Sequence, residues 1–371
     1  MRQNIILVDQ EPFTRRRSEL FYIDKFIASG FNVQVWSLSS YLKMPGSYPD
    51  TIEADYVYNI SSKEFFLSLL DKCKVEETIF ILELGYSIRS FQIFKYLNKY
   101  NCLKVRISLY DNIIFGTRPG NKIIRIIKDG RIIDLLKIYT KSILLNGYKR
   151  LFPFKEYDYL FSSSKLTSRN FAINHPDYEL WKYSLSAPEL SGDYLVFCDI
   201  FFPEHPDLLA IHPSINAIKY RKTLSAFFSY VEKKTGKPVI IAAHPKAIYD
   251  SNDWGGRRVI KYQTNSLVKY SSGVLLHSSN SITFTILSDK PCILLTTDDM
   301  LCFNVLKMVF EGYHQAFDLP IYNLDHTQFE EIDFKRVDAE LRQRYINTYL
   351  TSSEISGRRN FDIIKQAFCQ L

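Results

Sequence analysis

Two short polar clusters close apolar runs in this chain, and their residue types and spacing suit the binding of an anion. The first is His244-Pro245-Lys246, directly after Val239–Ala243. The second is His277-Ser278-Ser279-Asn280, directly after Gly273–Leu276 and just ahead of the helix-like run 281–287. An imidazole, an ammonium group and hydroxyls set before a helix N-terminus, whose N–H groups point outward, suit a phosphate. Thr264, with Asn265, is expected to cap the helix that reaches Tyr270, and it adds one more hydroxyl. Each of these residues also has a structural reading. His244 can close a strand end, and Ser278 and Ser279 can cap the following helix. Arg257, Arg258 and Lys261 are further candidates for holding a phosphate or carboxylate, and Asp298-Asp299 for bordering a ribose or base.

The elements that must position these clusters are legible around them. Residues 237–295 read as strand, loop, helix, strand, turn, helix, strand. Val239–Ala243 is wholly apolar, the pattern of a parallel strand buried on both faces. In open parallel sheets, ligands sit beyond the carboxyl ends of the strands, and both clusters fall there, on strands expected to be neighbours. The His-Pro dipeptide alone singles out nothing, because His175, His205, His212 and His244 all precede proline. Only His244 follows a clean apolar strand, and it is chosen for that reason.

His244-Pro245 after a buried strand, with Ser278-Ser279 before a helix some thirty residues later, resembles the HP and SS motifs of bacterial CMP-sugar transferases. These are the sialyl-, polysialyl- and Kdo-type enzymes, and the resemblance covers roughly residues 195–295. It implies an α/β GT-B fold, two Rossmann-like domains facing each other across a cleft. It implies that His244, Ser278 and Ser279 contact the donor phosphate, with Pro245, Lys246, Thr264 and Asn280 around it. The activity implied is inverting transfer of an acidic nonulosonic-type sugar (sialic, legionaminic or pseudaminic acid, or Kdo) from CMP to a bacterial surface glycan. No metal or other cofactor is implied, although His205, Asp207 and Asp199 form a ligand set on paper. Two alternatives stay open. One is another GT-B-like transferase using a UDP-sugar or CDP-polyol donor, and the other is a non-catalytic polysaccharide assembly factor that kept the fold.

Such a transfer needs a base for the acceptor hydroxyl, and a carboxylate suits that role. Two expected strands of the first half end in acids: Thr78–Glu83, and 104–110 followed by Asp111-Asn112. The resembling families place the base in an acidic pair followed by glycine. Here Asn112 and Ile113 stand in the second and third places, whereas Glu83-Leu84-Gly85 keeps the acid and the glycine without the pair. Asp111 is the preferred catalytic candidate and Glu83 the second. Either can instead cap the next helix.

A length of 371 residues suggests two domains. Asn4–Asp9 opens the first as a strand, Arg15, Arg16 and Arg17 begin a helix expected to run to Ala28, and Asn32–Trp36 is the next strand. Residues 174–192 lose periodicity and gather Pro, Ser and Gly, the pattern of a linker. The expected division is 1–188 for acceptor binding, 189–335 for the nucleotide sugar, and 336–371 as helices returning to the first domain. Six scattered cysteines without a CxxC pair argue for a reducing compartment. The start of the chain leaves no room for a signal-peptide core, and no apolar run reaches membrane-spanning length, so a cytoplasmic location is expected. Residues 121–150 carry eight Lys/Arg against Asp129 and Asp134, most of the chain's net charge of +7. That basic, Ile/Leu-rich stretch suits peripheral contact with an anionic membrane surface, or equally a plain surface helix. No recognised motif accompanies the charge to favour nucleic acid.

Overall fold

The computed structural model describes residues 2–43, 50–109, 155–183, 193–205, 215–249 and 252–371, with isolated positions in 140–150 and at 190 and 208. The chain divides into two compact units. The first runs through His175 and takes up the chain again at Thr351–Leu371, and the second contains Pro176–Leu350. The division therefore falls at 175/176 and 350/351 rather than at the sequence-expected 188/189 and 335/336. The physical reason is local: Pro176–Tyr183, expected to be linker, is a helix with Tyr178 buried in the second unit's core. At the other end, Tyr345 and Leu350 join that same core.

In the first unit, seven parallel strands lie in the order β3-β2-β1-β4-β5-β6-β7. They are β1 (Asn4–Asp9), β2 (Asn32–Ser37), β3 (Val57–Asn59), β4 (Thr78–Glu83), β5 (Leu103–Ser108), β6 (Tyr159–Ser162) and β7 (Phe171–Ala172). Alternation along β1 feeds two cores: Ile5 and Leu7 pack on one face, Ile6 and Val8 on the other. The predicted helix over 15–28 is two pieces, Arg15–Leu20 and Ile23–Ala28, because Tyr22 adopts a left-handed φ of 56°. The terminal helix Asn360–Gln370 places Ile363, Ile364 and Phe368 against Ile5, Leu7 and Phe26. A buried amide clasp fixes that segment. The Asn174 N–H donates to Asn360 Oδ1 at 2.7 Å, Asn360 Nδ2 returns to the Asn174 carbonyl at 2.8 Å, and Thr351 Oγ1 donates to Asn174 Oδ1 at 2.5 Å.

The second unit's six parallel strands lie in the order β10-β9-β8-β11-β12-β13. They are β8 (Leu195–Cys198), β9 (Val239–Ala243), β10 (Val259–Lys261), β11 (Gly273–Leu276), β12 (Cys292–Thr296) and β13 (Ile321–Asn323). Val196, Cys198, Ala242 and Leu276 line one face, and Leu195, Phe197, Ile241 and Leu275 the other. Helix Ala217–Thr235 covers this sheet, closed by Gly236 at a φ of 69° that glycine adopts without strain. Strand β9 has the expected bounds. Strand β10 was not expected, and β8 lies between β9 and β11, so the two strands carrying the polar clusters are not neighbours.

Candidate functional site

In both sheets the order reverses around the first strand: between β1 and β4, and between β8 and β11. Such a reversal leaves a crevice beyond the strand ends. In the second unit the three strands at this point are in register, Ala242 opposite Cys198 and Cys198 opposite Leu276. His244 and Ser278 each lie two residues past that level. Two strand spacings, about 10 Å, separate the strand ends from which they extend.

Asp199, one residue past β8, organises this edge. Its carboxylate is 5% exposed and accepts three hydrogen bonds. These come from the Phe201 N–H at 2.8 Å, the His244 N–H at 3.1 Å and the Tyr249 hydroxyl at 2.6 Å. Burial raises its pKa, opposed by these three donors. Both oxygens are therefore occupied by protein donors. Asp207, the third member of the paper metal set, lies outside the described residues, and no cluster of three His, Cys, Asp or Glu able to hold a metal occurs among the described ones.

The His244 ring is fixed from several sides. Its Nδ1 accepts the Lys246 N–H at 3.2 Å, which places the proton of the neutral ring on Nε2. Phe201 lies parallel to it, with ring centroids 6.3 Å apart and an interplanar angle of 9°. The His205 ring meets it edge-on at 5.2 Å. Sequence reasoning set His205 aside because it follows no clean strand. The structure brings it to His244 because Phe201 takes a left-handed φ of 57° and turns the chain back, a conformation with no sequence signal in a phenylalanine.

At the end of β11 the residues separate by role. His277 is fully buried, its Nδ1 2.7 Å from the Leu295 carbonyl and its Nε2 2.8 Å from the Tyr220 hydroxyl. The carbonyl can only accept, so Nδ1 carries the proton and Nε2 accepts from Tyr220. Burial lowers the His277 pKa to about 4. This histidine is a neutral brace. Ser279 accepts the Ser281 N–H on its hydroxyl at 3.2 Å, and its carbonyl takes the Tyr313 hydroxyl at 2.8 Å. The Ser278 hydroxyl is buried and has no hydrogen-bond partner among the described residues. The helix Ile282–Leu287 begins after Ser281, so neither Ser278 nor Ser279 occupies its capping position. An orphan buried hydroxyl costs free energy unless a ligand or water satisfies it.

The remaining candidates sort as follows. Pro245, Lys246 and Asn280 are exposed beside the strand ends. Thr264 opens the helix Thr264–Tyr270 but does not cap it; Gln263 holds that position, and Asn265 donates to the Leu180 carbonyl at 3.1 Å instead. Arg257 is committed to Glu232, with contacts of 3.0 and 2.7 Å, and Lys261 to the Ala247 carbonyl. Asp298 is held by Asn323 at 2.8 Å and His326 at 2.9 Å.

In the first unit, Asp9 and Glu83 are register partners at the ends of β1 and β4. Asp9 is fully buried and paired with Arg17, whose Nε and Nη2 lie 2.7 and 2.6 Å from Oδ2. Burial outweighs that cation and pushes the Asp9 pKa up to about 7. Burial raises Glu83 as well, opposed by Arg17 and Arg106. The preferred base, Asp111, and most of the basic stretch 121–150 lie outside the described residues. No helix among the described residues is long and apolar enough to cross a membrane.

No protein-family model matches the sequence, and no curated protein matches it significantly. Solved structures do resemble it in fold. The crystal structure of CalG4, the calicheamicin glycosyltransferase, superposes with a TM-score of 0.55 at 12% identity, covering 100% of this chain and 99% of that one. The wall teichoic acid polymerase TagF superposes with a TM-score of 0.50 at 12% identity, covering 100% of this chain and 90% of that one. At such identity the likeness carries the fold alone. That fold is α/β of the GT-B class, built of two Rossmann-like parallel sheets.

Proposed function

We propose that this protein is a GT-B transferase whose second unit binds a nucleotide-activated donor at the ends of β8, β9 and β11. The observation that carries the reading is the occurrence, at one strand-order reversal, of a fixed imidazole with its proton on Nε2 and a buried hydroxyl without a partner among the described residues. A donor phosphate supplies an acceptor for the buried Ser278 hydroxyl and a negative charge for the His244 imidazole to contact. The His244 Nε2–H stabilises charge that develops on the leaving phosphate, and the Ser278 hydroxyl shares that oxygen cluster. The acceptor hydroxyl loses its proton to a carboxylate of the first unit. Asp111 and Glu83 are the candidates, and the raised pKa of Glu83 brings it nearer the working range of a base.

We place the broader donor class, a UDP-sugar or CDP-polyol, ahead of a CMP-activated nonulosonic acid, because a fold shared with a calicheamicin glycosyltransferase and a wall teichoic acid polymerase does not single out CMP donors. The narrower reading rests on the HP and SS motifs. A melting-temperature screen of CMP, CDP, UDP and GDP separates them, because a ligand stabilises the state that binds it. A larger shift with UDP or CDP supports the broader class, and a larger shift with CMP restores the narrower one. His244→Ala is expected to weaken the preferred nucleotide by about ten- to a hundredfold, the effect of one charge-assisted hydrogen bond. Unchanged affinity in that variant overturns the placement of the site. Peripheral membrane contact through 121–150 is proposed as well, tested by salt-reversible co-sedimentation with anionic vesicles.

A further inference from the structure

Asp199 holds more than His244. Its Oδ1 takes the Phe201 N–H at 2.8 Å while its Oδ2 takes the His244 N–H at 3.1 Å. One buried carboxylate thus ties the loop after β8 to the loop after β9, and each loop carries a histidine. The two rings meet edge to face, 5.2 Å between centroids and 78° between planes. Phe201, four residues back along the first loop, lies parallel to His244 and meets Tyr249 edge-on at 6.0 Å. The neighbouring Glu204 is drawn off by Arg221, whose Nη1 lies 2.6 Å from its Oε2, so that carboxylate is already neutralised where the loop passes the imidazoles. The loop is thus held by a left-handed Phe201 and an ion pair, an arrangement that a purely connecting segment does not require.

We propose that His205 is a second phosphate-contacting imidazole of the donor site, paired with His244 and positioned by the shared Asp199 carboxylate. This deepens the function proposed above and rests on it. Two imidazoles at 5.2 Å between ring centroids are close enough to donate to different oxygens of one phosphate or of a pyrophosphate. No bond is made or broken by His205; it binds and orients the leaving group that His244 also contacts.

The test uses the full-length protein and inorganic pyrophosphate, titrated calorimetrically. His205→Phe keeps an aromatic edge against His244 but removes both ring nitrogens. His205→Gln keeps a donor but removes the ring. Wild-type protein is expected to bind pyrophosphate, His205→Phe to bind it at least about tenfold more weakly, and His205→Gln to lie between them. If His205→Phe binds as tightly as wild type while His244→Ala does not, His205 only packs, and the inference falls while the donor site stands. If wild type fails to bind pyrophosphate, or if His244→Ala leaves its affinity unchanged, the donor site falls and the inference with it. Asp199→Asn is the companion variant. Loss of pyrophosphate affinity with native circular dichroism supports the positioning role, and unchanged affinity overturns it.

Discussion

Each sheet ends its first, central strand with a buried aspartate, and the two solve the same problem in opposite ways. Asp9 is the last residue of β1 and Asp199 directly follows β8, each at the place where strand order reverses. Asp9 is met by a charge, the Arg17 guanidinium folding back from the helix eight residues on. Asp199 is met by three neutral donors, two backbone N–H groups and a tyrosine hydroxyl. The difference teaches what each edge has left to offer. A charge clamp consumes its cation internally, leaving Glu83 as the next acid at that edge. A clamp of neutral donors spends no cation and ties together the two loops that carry His205 and His244.

The most severe way to break the comparison is to remove the cation. Arg17→Met strands Asp9 in the core, and losing one partner of a buried pair costs about 3–5 kcal/mol. That cost is expected near pH 8, where Asp9 is ionised, and to shrink near pH 5. The sign follows from the raised pKa: the folded state holds a proton on Asp9 up to about 7, above the unfolded 3.8. Asp9's own contribution is therefore present at low pH and lost as pH rises across that window. Denaturant unfolding of the variant at both pH values checks it. Equal losses at pH 5 and pH 8 would show that Asp9 is not the group Arg17 serves.

The buried His277 of the second unit is expected to respond to pH with the opposite sign. His277 is held neutral, its pKa lowered from 6.5 to about 4 by burial. The unfolded chain takes up a proton in that window and the folded chain does not. Stability present above 6.5 is thus lost as pH falls through it, by on the order of 3 kcal/mol. Amide exchange in β8 and β11 at pH 7 and pH 4.5 reads this locally. In His277→Gln, which does not titrate, the acid-dependent loss of protection is expected to disappear. Persistence of the same loss would place the acid-sensitive group elsewhere.

How much of this contrast was legible in the sequence depends on burial. Strands β1, β4, β9, β11 and β12 read clearly because apolar runs mark strands buried on both faces. The short edge strands β3, β7, β10 and β13 are only partly buried and carry no such run, so they were missed. His244 and Ser278 were legible because they close fully buried strands. Their separation by β8 was not, since strand order is fixed by crossovers rather than by sequence proximity. His205 and the Asp199 clamp stayed hidden because they depend on one left-handed phenylalanine. Asp9 and Arg17 stood in plain view as single residues, but their pairing needs the backbone to turn between the strand and the helix. The boundary at His175 was obscured because the short helix Pro176–Tyr183 begins at a proline and runs into the Ser-, Pro- and Gly-containing stretch 184–192 that reads as a linker.

The smallest expected effect is the most discriminating for the Asp199 clamp. Tyr249→Phe removes one hydroxyl and keeps the ring that packs on Phe201 and on Trp254. Asp199 then retains the Phe201 and His244 N–H donors, so both loops stay tied. A hydrogen bond to a carboxylate contributes about 1.5–3 kcal/mol, and the low end is expected because the remaining oxygen valence can be met by water at this partly exposed tyrosine. Pyrophosphate affinity should change little, since the scaffold loses a third donor and no ligand contact. If Tyr249→Phe abolishes pyrophosphate binding as fully as His244→Ala, the hydroxyl touches the ligand and the neutral-donor clamp is misassigned. If stability is untouched, the Tyr249 hydroxyl does not hold Asp199 at all, and two backbone donors alone set the histidine loops.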